Sequence, residues 1–179
     1  MSFATFVVRI PRVTIMDDDR WILRLAALRD GRLATGDQDG TIRIWNLATR
    51  QPELIVRQGK NGSINPVTAL IELEDGRLAF STANSKEITL WSPASGKNET
   101  ALPVTPGQRA TRIARLASGR LAVLETENLL TVWNLKTSKK DAAFEVGRDP
   151  WATGAMPQLP DGRLAVGIGD GTIELWKLR

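Results

Sequence analysis

One phrase recurs four times along this chain of 179 residues: DGRLA at 30–34, DGRLA at 75–79, SGRLA at 118–122 and DGRLA at 161–165. Its starts lie 45, 43 and 43 residues apart, and about a dozen residues past the leucine of each copy stands one tryptophan: Trp45, Trp91, Trp133 and Trp176. Self-similarity at such a period marks a stacked or circular repeat, because one unit is too small to bury its apolar side alone. The repeat constrains the architecture tightly and the partner hardly at all.

Overlaid, the units read LRDGRLATGDQDGTIRIWNL, LEDGRLAFSTANSKEITLWSP, LASGRLAVLETENLLTVWNL and LPDGRLAVGIGDGTIELWKL. Each holds two short β-rich runs around turn residues, which is hairpin grammar rather than helical periodicity. Asp30-Gly31, Asp75-Gly76 and Asp161-Gly162 read as tight two-residue turns, since glycine accepts the positive φ such a turn demands. An apolar segment precedes each turn (Trp21–Leu28, Pro66–Leu73, Ala110–Leu116, Ala152–Leu159), and a more polar one follows each tryptophan, as in Glu53–Arg57 or Ala142–Val146. Each unit therefore has four strands. In the third, Ile42 and Ile44 face one way and Trp45 the other, so both sheet faces need cover. Four-stranded sheets stacked face to face around an axis supply it, with the tryptophan filling the space between neighbours. The expected fold is an all-β propeller of four-stranded antiparallel blades, four to the chain.

From about residue 21 onward the chain resembles the WD-repeat β-propeller family, most closely in DGRLATGDQDGTIRIWNL and DGRLAVGIGDGTIELWKL. In that family an Asp in the turn before the third strand joins a Ser/Thr, the Trp and a His in a hydrogen-bonded network. The resemblance places Asp39 and Asp170 in the role of that Asp, Thr35 in that of the Ser/Thr, and the four tryptophans in that of the Trp. Ser85 and Glu127 stand where repeats two and three would carry the Asp, and the chain has no histidine, so the network is expected to be missing or incomplete. The resemblance implies a non-catalytic scaffold for protein–protein interaction.

The blade boundaries are expected near 21–57, 66–104, 110–146 and 151–179, with 1–20 as a closing strand and loop. Residues 4–9 (ATFVVR) resemble the outer strand ELIVR at 53–57, while the last unit stops at Arg179, just after its third strand. Residues 3–10 are therefore expected to supply its fourth strand beside 172–177. Three assemblies are compatible with four blades: a self-closed ring, a pair of chains closing eight blades, or a segment of a longer propeller. The homodimer is favoured, since wedge-filling tryptophans suit gently angled neighbours and two half-rings bury each other's open edges.

Composition narrows the function classes. The chain is 42% apolar and 25% charged, with no cysteine and no histidine, so disulfides, thiolate chemistry and the commonest general base and metal ligand are all absent. No catalytic residue, metal site or cofactor is assigned. The GDQDG turn at 36–40 has the opening of a calcium loop without its distal ligands and is read as a hairpin turn. The N-terminal stretch lacks a signal peptide's uninterrupted apolar centre, and the chain is read as cytoplasmic. On the expected topology one face of the ring receives Arg32, Arg77, Arg120 and Arg163, once per blade, together with Lys136, Lys139 and Lys140. That basic face is an alternative site for nucleic acid or an anionic membrane, weighed against pairing of each arginine with a neighbouring acid. A carboxylate-based propeller enzyme is a third reading with no motif behind it. Trp21 and Trp151 stand outside the repeat position, each at the start of a first strand. With Arg109 and Arg148 nearby, they form the candidate rim for a protein or peptide partner, because tryptophan contributes large contact area at low entropic cost.

Overall fold

The computed structural model describes residues 14–15, 20–57, 64–147 and 156–178. The expected grammar of four short strands per unit is realised in full three times. The first sheet runs β1 (Ile22–Ala27), β2 (Leu33–Asp37), β3 (Thr41–Asn46) and β4 (Gln51–Arg57) in sequence order. The second repeats this with β5 (Val67–Glu72), β6 (Leu78–Thr82), β7 (Glu87–Ser92) and β8 (Lys97–Pro103). The third does so with β9 (Ala110–Leu116), β10 (Arg120–Glu125), β11 (Leu129–Asn134) and β12 (Lys139–Glu145). Every pairing in them is antiparallel. Among the described residues the fourth sheet has two strands, β13 (Leu164–Gly167) and β14 (Ile173–Trp176), and a bridge from Gln158 to Leu164. The expectation that residues 3–10 pair beside β14 lies outside the described residues.

The recurrent turns are one residue longer than the two-residue form read from the sequence. Leu28 N donates to Arg32 O at 2.9 Å and Gly31 N to Leu28 O at 3.0 Å, enclosing the three-residue loop Arg29-Asp30-Gly31. Gly31 has φ +86°, so the glycine requirement holds, but it serves a turn closed by a left-handed residue rather than a two-residue hairpin. The Asp acts on the other side of the glycine, where its carboxylate accepts the Arg32 N–H at 3.0 Å and fixes the chain as it enters β2. The same arrangement recurs at Asp75/Arg77 and Asp161/Arg163.

Packing follows the repeat. Among the described residues the core falls into three clusters, each lying between consecutive sheets. Ala34, Ile42 and Ile44 of the first blade meet Leu70, Leu78, Phe80 and Trp91 of the second. Ala79, Ile88 and Leu90 of the second meet Leu121, Val123 and Trp133 of the third. Ala122, Leu130 and Val132 of the third meet Met156, Leu164 and Val166 of the fourth, with Trp176 packed against them. Each blade thus has a trailing face of small and aliphatic residues and a leading face that carries the tryptophan. The pairing of third and fourth strands slips by one residue between Ile44 and Trp45, Leu90 and Trp91, and Val132 and Trp133. A bulge at that point re-aims the following side chain, and here the residue that follows is the interblade tryptophan.

Candidate functional site

The hydrogen-bonding network around the tryptophans differs from the expected one in its acid. Asp37, the last residue of β2, is fully buried, whereas the side chain of Asp39 is one-quarter exposed. The Asp37 carboxylate accepts the N–H groups of Asp39 and Thr41, each at 2.9 Å, and the Arg43 guanidinium at 2.9 Å. Asp39 instead pairs with Arg20. The reason is register: a residue ending the strand points into the sheet's packed face, while one at the hairpin tip points to water. Strand pairing sets Asp37 opposite Ile22, Thr82 opposite Val67 and Glu125 opposite Ala110, so the equivalents of Asp37 are Thr82 and Glu125 rather than Ser85 and Glu127. Asp170 lies exposed at its tip and binds the N–H and hydroxyl of Thr172 at 2.9 and 2.7 Å. That bond to Thr172 holds its carboxyl below the usual range.

The tryptophans still find partners. Trp45 Nε1 donates to Thr35 Oγ1 at 3.0 Å, as the resemblance implied. Trp133 Nε1 donates to Thr131 Oγ1 at 3.2 Å, and Thr131 Oγ1 lies 2.9 Å from the buried Glu125. Trp176 Nε1 donates to Glu174 Oε2 at 3.0 Å. Three blades solve the same problem with three different acceptors. Trp91 is buried at 3% exposure in the cluster between the first two blades.

Of the candidate rim, Trp21 is 72% exposed just before β1, and its carbonyl accepts the Gln38 N–H at the β2–β3 tip. Arg109, just before β9, is exposed and receives the Thr126 N–H on its carbonyl. Both stand on the rim formed by the β2–β3 and β10–β11 tips. Trp151 and Arg148 lie outside the described residues.

On the opposite rim the arginines of the recurrent phrase are largely spoken for. Arg32 contacts Asp30 at 2.7 Å and Glu53 at 3.4 Å, Arg77 contacts Asp75 at 2.8 Å, and Arg163 contacts Asp161 at 2.6 Å. Hydrogen bonds from Arg32 hold the Asp30 carboxyl below its ordinary range, and those from Arg163 do the same for Asp161. At Asp75 burial pushes the other way, and the Arg77 bonds outweigh it. Arg120, where Ser118 replaces the acid, reaches the Leu178 carbonyl at 3.2 Å. Lys136 and Lys139 are exposed, while Lys140 lies 5.3 Å over the Trp133 ring and 3.2 Å from Thr105 Oγ1. On the other rim, the acids Asp37 and Glu125 that end β2 and β10 are interior rather than presented to solvent.

Sequence reasoning passed over the interior ionisable pair Asp37 and Arg43. Its signal was present: an arginine two residues before Trp45, where the other repeats have Thr89, Thr131 and Glu174, calls for a buried acid within reach. Among the described residues no cluster of three His, Cys, Asp or Glu side chains gathers to hold a metal ion, and no helix is long and apolar enough to cross a membrane.

The family model described as WD domain, G-beta repeat matches residues 12–46, a span that includes the first three strands of the first blade, consistent with a WD-repeat family. No curated protein matches the chain. Repeats of this family generally mediate protein–protein interaction as non-enzymatic scaffolds.

Proposed function

With WD-type repeats as the premise, we propose that this protein is a non-catalytic scaffold that binds a protein or peptide partner on the rim bearing Trp21, with Arg109 and, by their sequence positions, Trp151 and Arg148 completing the surface. The observation that carries this reading is Trp21: a tryptophan 72% exposed at a blade edge, in a chain whose other described tryptophans are buried or half-buried, with Trp91, Trp133 and Trp176 packed between blades. Exposed aromatic anchors contribute most of the energy at many interfaces. The paired arginines of the opposite rim favour this reading over nucleic acid or membrane binding, since a guanidinium already held by a carboxylate contributes less to a phosphate contact. Panning a linear peptide library on the intact chain tests it. Enriched peptides should lose affinity for Trp21→Ala and keep it for Lys136→Ala. Peptides that bind both variants equally, or no enrichment at all, would remove the rim as the site.

The same reading includes assembly as a pair. At the trailing face of the fourth blade Ile173 is 73% and Leu175 48% exposed. Their repeat equivalents are covered by the next blade: Ile42, Ile88 and Leu130 are each at 0%, and Ile44, Leu90 and Val132 at 0–2%. On the first blade Ile22 and Leu25 are 41% and 63% exposed, where Val67 and Leu70 are at 1% and 5%. A second copy, seating the inner strand of its first blade against β14, continues the interface already repeated three times. Two such contacts close eight blades, at the upper end of the roughly four-to-eight range of propellers.

A further inference from the structure

Two arginines of the inner strands share a repeat position. In β1, β5 and β9 the pairing with the second strand slips by one residue, leaving Leu23, Thr68 and Thr111 as the extra residues of three bulges. The residue after each bulge is Arg24, Ala69 or Arg112, set opposite Gly36, Ser81 and Leu124 respectively. β1 packs against β5 and β5 against β9. The same re-aimed position therefore recurs on three adjacent strands, with a guanidinium at each end of the row and a small residue between them.

The two side chains are held alike. Arg24 Nε donates to the Thr68 carbonyl across the first interblade contact at 2.7 Å, and Arg24 Nη1 donates to the Leu23 carbonyl at 2.7 Å. Arg112 Nη1 donates to the Thr111 carbonyl at 2.7 Å. Thr68 and Thr111 are equivalent residues of neighbouring strands, so these bonds bring the guanidiniums to adjacent strands at one level of the fold. Both arginines are half-buried, and burial, followed by the positive charge of Arg112, holds Arg24 below its ordinary value. Among the described residues Arg24 has no carboxylate partner and its Nη2 bonds to nothing. The one carboxylate on the three strands, Glu72, stands at the far end of β5 and accepts the Arg29 N–H at 3.1 Å.

Backbone carbonyls orient these side chains but carry no net charge to offset theirs. Each guanidinium is a planar fork that matches the oxygens of a phosphate, and an anion lying between the two turns their mutual repulsion into attraction on both sides. Two positive charges match a dianion, where a single carboxylate would leave one of them uncompensated. We propose that the inner edge of the first three blades binds a phosphate group between Arg24 and Arg112, either inorganic phosphate or the phosphate of a small ester. This site is separate from the Trp21 rim and rests neither on that reading nor on the pairing of two chains.

Isothermal titration of the intact chain with inorganic phosphate, at fixed ionic strength, tests the proposal. Phosphate should bind about tenfold or more tightly than nitrate, a monoanion that can satisfy only one of the two charges. Arg24→Gln and Arg112→Gln should each weaken phosphate about tenfold or more, as loss of a charged hydrogen bond implies. Arg163→Gln, which removes an arginine already held by Asp161, should leave affinity within about twofold. Glycerol phosphate identifies the source: tighter binding than inorganic phosphate supports an ester, and weaker binding supports the free ion. The anomalous signal of selenate soaked into crystals of the unaltered chain should lie between the two guanidiniums, which holds the test even where a substitution disturbs folding. Absence of phosphate binding by the folded chain, equal binding of nitrate, equal loss with Arg163→Gln, or selenate found only elsewhere would overturn the proposal.

Discussion

The third strands of the second and fourth blades carry nearly the same phrase, EITLWS and TIELWK, and have opposite fates. In β7 every residue from Ile88 to Ser92 is buried, whereas in β14 exposure alternates: Ile173 and Leu175 face out, Glu174 and Trp176 are half-buried. The local grammar is the same, and the covering layers differ. β7 has the first blade on one side and the third on the other, while β14, among the described residues, has the third blade on its tryptophan side and no blade on the other. The exposure of Ile173 and Leu175 is therefore a property of the stack and not of the phrase that carries them.

The largest test of that contrast compares tryptophans. Trp91→Ala should cost about 3–5 kcal/mol, the usual range for truncating a core aromatic. Trp176→Ala, at a half-buried site, should cost clearly less in urea unfolding of the two variants. Equal losses would mean that the fourth blade is packed as fully as the second.

A comparable loss is expected inside the first blade. Asp37→Asn removes the carboxylate that the Arg43 side chain, 5% exposed, reaches at 2.9 Å, and breaking a buried pair from one side costs about 3–5 kcal/mol. Asp39→Asn, two residues away at the tip, should cost about 1 kcal/mol or less because its pair with Arg20 is partly solvated. Thermal melts of the two variants decide whether Asp37 or Asp39 is the hub.

Smaller again is Gly36→Ala. A Cβ there would stand 2.7 Å from Val67 Cγ1 across the first interblade contact, and overpacking of this kind costs about 1–3 kcal/mol. Calorimetry should show a lowered melting temperature that a companion Val67→Ala substitution partly restores.

The smallest effect is in acid. The folded carboxyls of Asp30 and Asp75 titrate below their unfolded values, so their contribution is present above about pH 4, the ordinary Asp value. It is lost as pH falls through the lower folded values. Asp30→Asn should therefore lower stability slightly near neutral pH, converge with the parent in acid, and so flatten the acid side of the stability curve. An unchanged acid limb would show that the Arg32 contact is fully screened.

Much of this fold was legible beforehand, because period, hairpin spacing and the fixed tryptophan are all local signals. The two readings that changed concern which neighbour a side chain meets. Asp37 and Asp39 are alike in a string of letters, and only the end of β2 separates the interior carboxylate from the exposed one. The DGR phrase marked its glycine correctly, yet the loop length depends on the Leu28–Arg32 bond across the turn, which no composition rule supplies. Of the candidate site, Trp21 was visible as a tryptophan out of register.

The claim that a blade face needs another blade is tested most directly by the mass of the chain in solution. Sedimentation equilibrium of the intact protein should return twice the 19.7 kDa of one chain, and Ile173→Asp should return one chain mass while its circular dichroism stays that of a folded β protein. A single chain mass for the intact, folded protein, with Ile173→Asp unchanged from it, would contradict the account.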